Sequence, residues 1–366
     1  MNTKNIFIRQ FNIMFFITAS LFVCSCVGKE LDKKVHQAYN LRMNGNADSA
    51  KVLLEEVLTQ DSTNAMAWYE LARTKHHIGL GNPRELFGKL DDLQFTIDKA
   101  VEYDNTSVIY SFYKGAISYT RAYVSLMRGA PDTAEKVKEV VSAFEYIISL
   151  KPDYYEAMLY LVEILSAPAN MGGDSLKADK YAKQLERLDE VSGAKARELL
   201  LPEEADRIEF WQKLKEKHEN NADVHEALGK AYLYKENIEE ATKCFEKAIS
   251  LDSMKNVLHV DIGRYYIMLA MQNRVQLDSV SYLIEDAFET YLNSKPEPIN
   301  PLKAFVIGKL ASIKFRTGDK ENGNKLREEA NTLDPNYSKA FATPSQILFN
   351  SPDEISHVHV YFSRPF

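Results

Sequence analysis

Between Ala222 and Lys255 the apolar positions recur at helical spacing. Leu228 and Tyr232 lie four residues apart, and Ala241, Phe245 and Ala248 follow at intervals of four and three. Such spacing puts each set on one helical face, so the segment predicts two amphipathic helices, A and B, packed as a hairpin. Glu239 and Glu240 near the start of helix B, with Lys243 and Lys247 further on, suit its macrodipole. The pattern returns along the chain. Ala50 and Leu54 follow a Gly45–Asp48 turn, and Trp68, Leu71 and Ala72 open the next helix. Val140 and Phe144 precede Pro152, and Met158, Leu161, Val162 and Leu165 come after it. Gly115, Ala100 and Gly263 stand at small-residue positions. A helix ending, an apolar residue followed by Asp or Lys and then Pro or a small polar residue, appears near Asp61, Asp104, Lys151, Asp189, His218, Asp252, Lys295 and Asp334. Self-similarity at such intervals signals a repeat array.

The Ala222–Lys255 unit resembles the tetratricopeptide repeat (TPR). His225 takes the Trp place of that pattern, followed by Leu228, Gly229 and Tyr232, then Ala241, Phe245 and Ala248, with Ser253 in place of Pro. The resemblance implies an all-α, right-handed solenoid of about seven to eight hairpins with insertions and a short extended C-terminal tail. It divides the chain into an N-terminal array (35–189), a possible hinge (190–205), a C-terminal array (206–337) and a tail (338–366). It also implies a concave groove lined by the A helices. The candidate partner-binding residues in that register are Tyr69, Arg73, His76, Phe112, Tyr119, Lys230, Tyr234, Arg264 and Arg316. Aromatic and Arg side chains are frequent anchors, and a line of Arg and Lys would match an acidic segment or a carboxylate.

The first residues read as an address. Lys4 and Arg9 precede an apolar run, Ile13–Val23, that is too short to span a bilayer. The sequence Val23-Cys24-Ser25-Cys26 resembles a bacterial lipobox. That resemblance implies removal of residues 1–25, diacylglycerol on the Cys26 thiol, an N-acyl chain on its new amine, and a lipid-anchored linker over 26–34. No other cofactor is expected. Loss of Lys4 and Arg9 takes the formal charge from −7 to −9. The expected location is the cell envelope, at the outer membrane facing the periplasm.

Composition narrows the class further. The chain has 366 residues with only 15 Gly and 12 Pro, which favours helices over turn-rich β architectures. Acidic residues outnumber basic ones, 52 to 45, so a general affinity for nucleic acid is disfavoured. No nucleophile elbow, zinc-protease motif or phosphate loop is present, and an enzyme is not expected. Cys244, inside a helix B, reads as a small core residue. His357 and His359 are two ligands where zinc needs more, so no metal is expected. The glycine pair Gly172-Gly173 before Asp174 reads as a long inter-helix turn, with an anion cradle as the sharper alternative. Asp132 and Asp174 are candidate helix N-caps. The alternation over His359–Arg364 reads as an extended tail capping the last helices or as a docking strand.

These features point to a membrane-anchored scaffold that binds an unidentified protein or peptide partner in its groove. Two alternatives stay open: a component of outer-membrane protein assembly, and a periplasmic small-ligand receptor of a transport system with an apolar cavity near Phe112, Tyr119 and Leu159.

Overall fold

The computed structural model describes residues 29–340 and 348–351. The signal segment, Cys26 and most of the 338–366 tail, including His357 and His359, lie outside the described residues.

The chain is an all-α, TPR-like solenoid with no strand among the described residues. The first helix, α1, covers residues 29–43 and packs on α2 (Ala47–Gln60) through Leu31, Val35, Ala38, Ala50, Leu54 and Val57. Residues 29–34, expected as linker, are therefore the first turns of α1, held there because Leu31 is buried. Next come α3 (Ala65–Leu80) and α5 (Leu90–Tyr103), with the short α4 (Pro83–Gly88) inserted between them. The pairs α6 (Val108–Met127) with α7 (Thr133–Leu150) and α8 (Tyr155–Leu165) with α9 (Ser175–Leu188) follow. After α10 (Glu190–Leu200) and α11 (Arg207–Lys217), three regular hairpins complete the array. They are α12 (Ala222–Tyr234) with α13 (Ile238–Leu251), α14 (Leu258–Met271) with α15 (Leu277–Leu292), and α16 (Asn300–Arg316) with α17 (Lys320–Leu333).

The proposed helix endings coincide with the observed ones. Asp61, Asp104, Lys151, Asp189, His218, Asp252 and Asp334 each occupy a helix C-cap. Only α15 stops early, with Asn293 at its cap rather than Lys295. The aspartates act twice. The Asp252 backbone N–H still bonds Ala248 O, while its carboxylate accepts the Met254 N–H at 3.0 Å. Asp61, Asp104 and Asp334 do the same for Thr63, Thr106 and Asn336. A carboxylate in this place ends one helix and folds the turn into the next.

Inside the hairpins a glycine of the first helix receives a phenylalanine of the second. A Cβ on Gly229 would stand 2.5 Å from Phe245, on Gly263 2.3 Å from Phe288, and on Gly115 3.0 Å from Phe144. All three rings are fully buried. The same seam thus survives where the helices are longer than in the regular unit.

Residues 190–205, expected as a hinge, are mostly helix. A Cβ on Gly193 would meet the Glu186 backbone at 2.6 Å, so this glycine lets α10 lie against α9 rather than marking a flexible break. Val191 and Ala194 of α10 then share a core with Trp211 of α11 and with Val224 and Leu228 of α12. Asp174 caps α9 by accepting the Lys177 N–H at 3.0 Å. Asp132 precedes α7, but its carboxylate takes Lys136 and the Ser125 hydroxyl instead of a backbone N–H. Gly172 has φ +93° and lies against Val137, which gives the glycine pair a structural reason.

The solenoid returns on itself. The α1–α2 turn meets the end of α17, where a Cβ on Gly45 would fall 1.8 Å from Leu333 O. Gly81, after α3, abuts Asn336 in the same way. His77 of α3 and Asp334 after α17 are both fully buried and share a 2.6 Å hydrogen bond.

Candidate partner-binding surface

At the closure, α1 and α3 carry a buried polar cluster. Val35, Ala38 and Arg42 fall on one face of α1, so the helix that buries the first two also buries Arg42. Glu70 of α3 accepts from Arg42 Nε at 2.6 Å and stands 3.3 Å from Arg73 Nη1, with all three side chains fully buried. Burial opposes the Arg42 charge, but Glu70 outweighs it and holds the guanidinium above its usual range. His77 is buried enough to fall below the usual histidine range although Asp334 pulls it up, so the neutral ring donates to the Asp334 carboxylate. Beside it, half-buried His76 accepts from the Tyr113 hydroxyl at 2.9 Å and is pushed down to about 4 by burial, His77 and Arg42.

The chain's own C-terminal segment lies on this cluster. The Tyr39 hydroxyl donates to Phe349 O at 2.6 Å, and Arg73 Nη2 donates to Asn350 O at 2.5 Å. Arg42 Nη1 donates to Leu348 O. Leu348 is buried, and the Phe349 ring packs against Tyr337 at 5.8 Å between centroids.

A second charged array runs along the first helices of the later hairpins. Lys195 of α10 pairs with Asp223 at 3.0 Å. Lys255, almost wholly buried, bridges Asp223 at 2.5 Å and Glu226 at 2.6 Å. Glu226 also pairs with Lys230 at 2.5 Å. Burial works against the Glu226 carboxylate, but Lys230 and Lys255 hold it down at about 2. Arg264 pairs with Asp261 at 3.2 Å. Further along, Lys314 of α16 pairs with Glu285 at 2.7 Å. Lys309 of α16 donates to Ala340 O at 2.8 Å and lies over the Phe305 ring, and burial together with Arg264 and Arg316 lowers it to about 8. Arg316 is exposed at the end of α16.

The candidate groove residues therefore divide. Tyr69, Arg73 and Phe112 are fully buried and present no surface to a partner. For Arg73 the reason is the closure and the segment at 348–350, which cover this end of the A-helix face. For Phe112 it is aromatic packing: its ring meets Phe144 at 5.8 Å and Tyr160 at 5.7 Å, and Tyr119 meets Tyr160 at 5.3 Å. Rings thus fill the place where a receptor cavity was expected. His76, Tyr119, Lys230 and Arg264 are half-buried, while Tyr234 and Arg316 are exposed. The expected cationic line becomes a ladder of paired charges that ends at the exposed Arg316. Lys309 escaped the sequence reading, although Gly308 beside it marks the close approach of Ser338. Tyr39, Arg42 and Glu70 also escaped it, and Asp334 was read only as a helix ending; of the first three Arg42 alone left a signal, its place on the apolar face of α1.

A family model described as tetratricopeptide repeat matches residues 222–253, so the chain contains a TPR at α12–α13. No curated protein matches. Among solved structures, MamA 41-end from Desulfovibrio magneticus RS-1 is 16% identical, covering 61% of this chain and 96% of its own, at a TM-score of 0.29. YrrB, described as a TPR protein with an unusual peptide-binding site, is 19% identical over 55% of this chain and 92% of its own, at 0.29. Yeast Tom70 is 14% identical over 79% of this chain and 66% of its own, at 0.33.

Proposed function

We propose that this protein is a scaffold of the bacterial cell envelope that holds a segment of a protein partner on its A-helix face. The lipobox resemblance around Cys26 supports a diacylglycerol and N-acyl anchor at the outer membrane, facing the periplasm. Several acyl chains on one cysteine give lasting attachment, unlike a single chain. The observation that carries the binding reading is the Arg316 guanidinium, exposed at the end of α16, a helix that carries Lys303, Lys309, Lys314 and Arg316 and no acidic residue of its own. An acidic stretch of partner is the matching ligand, because its carboxylates would accept charge-assisted hydrogen bonds from that end.

The test has two arms. Cys26→Ser should abolish acyl labelling and release the protein from membranes; unchanged retention refutes the anchor. A partner recovered by cross-linking at the membrane and identified by mass spectrometry is then titrated against purified protein. Arg316→Glu should weaken its affinity at least about tenfold, a loss of ~1.4 kcal/mol. Val52→Glu, at an exposed position on α2, should leave it unchanged. Equal affinities for the parent and Arg316→Glu refute the acidic-segment reading.

A further inference from the structure

Three consecutive main-chain carbonyls, of Leu348, Phe349 and Asn350, are each captured by a different long side chain: Arg42, Tyr39 and Arg73. The donors come from two helices, α1 and α3, and converge on one short stretch of chain. The side chains of that stretch are held separately, Leu348 by burial and Phe349 by the Tyr337 ring. The stretch is a tight turn, not an extended strand, which is why three successive carbonyls can face one set of donors. Hydrogen bonds to the backbone give affinity, and the contacts of Leu348 and Phe349 give selectivity. The fit is also incomplete. Arg42 Nη2, Arg73 Nε, Tyr69 Oη and Asn350 Nδ2 are buried and make no hydrogen bond. Buried donors left in that state cost free energy that a better-fitting segment would recover.

We propose that the α1–α3 face is a binding site for a short turn-forming peptide with adjacent aliphatic and aromatic side chains, and that residues 348–351 occupy it as a built-in competitor. A partner segment of the same chemistry enters by displacing them. The site is separate from the cationic end at α16 and does not depend on the lipid anchor, so it can fail while the scaffold reading stands.

The test uses the full mature chain and a synthetic peptide with the sequence of residues 346–351, QILFNS. The double variant Leu348→Asp/Phe349→Asp removes the apolar grip of the internal segment. It should bind the fluorescein-labelled peptide at least about tenfold more tightly than the parent, because the parent must first release its own segment. The reversed sequence SNFLIQ should bind neither. If the folded variant binds QILFNS no better than the parent does, the proposal is overturned. Should the variant not fold, the parent carrying p-benzoylphenylalanine at position 349 decides. Illumination should cross-link that residue to α1 or α3 of the same chain, and saturating QILFNS should cut the yield at least by half. A yield unmoved by peptide, or cross-links formed only between two chains, overturns the proposal.

Discussion

Glu70→Gln is the sharpest probe of the closure. The substitution keeps the side-chain volume and removes one negative charge from between two fully buried guanidinium groups, at 2.6 Å from Arg42 and 3.3 Å from Arg73. At an effective dielectric of about 20, each pair near 4 Å is worth about 4 kcal/mol. Two such attractions would be lost, offset by the several kcal/mol of carboxylate desolvation that the amide is spared. The expected net loss is about 3–5 kcal/mol, as for breaking other buried ion pairs. The assay is urea unfolding of the chain carrying Cys26→Ser, followed by fluorescence. The two tryptophans serve as separate reporters once each is isolated by a Trp→Phe change, because Trp68 lies in α3 beside Glu70 and Trp211 lies in α11. The Trp68 signal should move at least as far as the Trp211 signal, since repeat arrays lose stability first where an interface is broken. Replacing all three charges, Arg42→Met/Glu70→Leu/Arg73→Met, should restore much of the loss. A Glu70→Gln loss below about 1 kcal/mol refutes a dry, mutually dependent cluster.

The hairpin seams and one buried acid supply further tests. Phe288→Ala should cost about 3–5 kcal/mol in urea unfolding, because the ring is fully buried against Gly263. The reciprocal Gly263→Ala should cost about 1–3 kcal/mol through overpacking; neutrality of both would contradict the seam. Glu156 is buried, and its carboxyl is raised from 4.5 to about 7, chiefly by burial. The folded chain therefore holds that proton more tightly than the unfolded chain, and the stability it contributes below pH 4.5 is lost as pH rises to 7. Glu156→Gln should match the parent near pH 4.5 and exceed it by up to about 3 kcal/mol above pH 7. A difference in melting temperature that does not grow with pH would contradict this.

The helix endings were legible because they are local. An Asp that closes one helix and caps the next turn needs only its neighbours, so Asp61, Asp104, Asp252 and Asp334 could be placed without tertiary information. Gly229 with Phe245 was legible for the same reason, as both fall within one unit. The hinge expected over 190–205 misled, because Gly193 within it serves as a point of close helix approach. The fate of Tyr69 and Arg73 was not legible at all. Their register on the A helix was sound for an open array, but Tyr69 is covered by Tyr110 and Tyr113 of α6 and Arg73 by residues 348–350, far along the chain.

The closure changes what an A-helix face can offer. In an open solenoid every first helix presents its inner residues to solvent, and binding energy is drawn from whichever of them meet a ligand. Here the N-terminal end of that face has already spent its strongest donors, Arg42, Arg73 and Tyr39, on the chain's own carbonyls. The middle has spent its lysines on Asp223 and Glu226. A ligand arriving at either region must repay those interactions before it gains anything. At α16 the debt is smallest: Arg316 is exposed, and Lys309 is lowered to about 8 by burial and then by Arg264 and Arg316, so an added carboxylate relieves part of that repulsion. Affinity for an acidic segment should therefore rise as pH falls through 8 and Lys309 gains its proton, and Lys309→Met should flatten that dependence. A pH profile of binding that is identical in the parent and in Lys309→Met would place the acidic segment elsewhere.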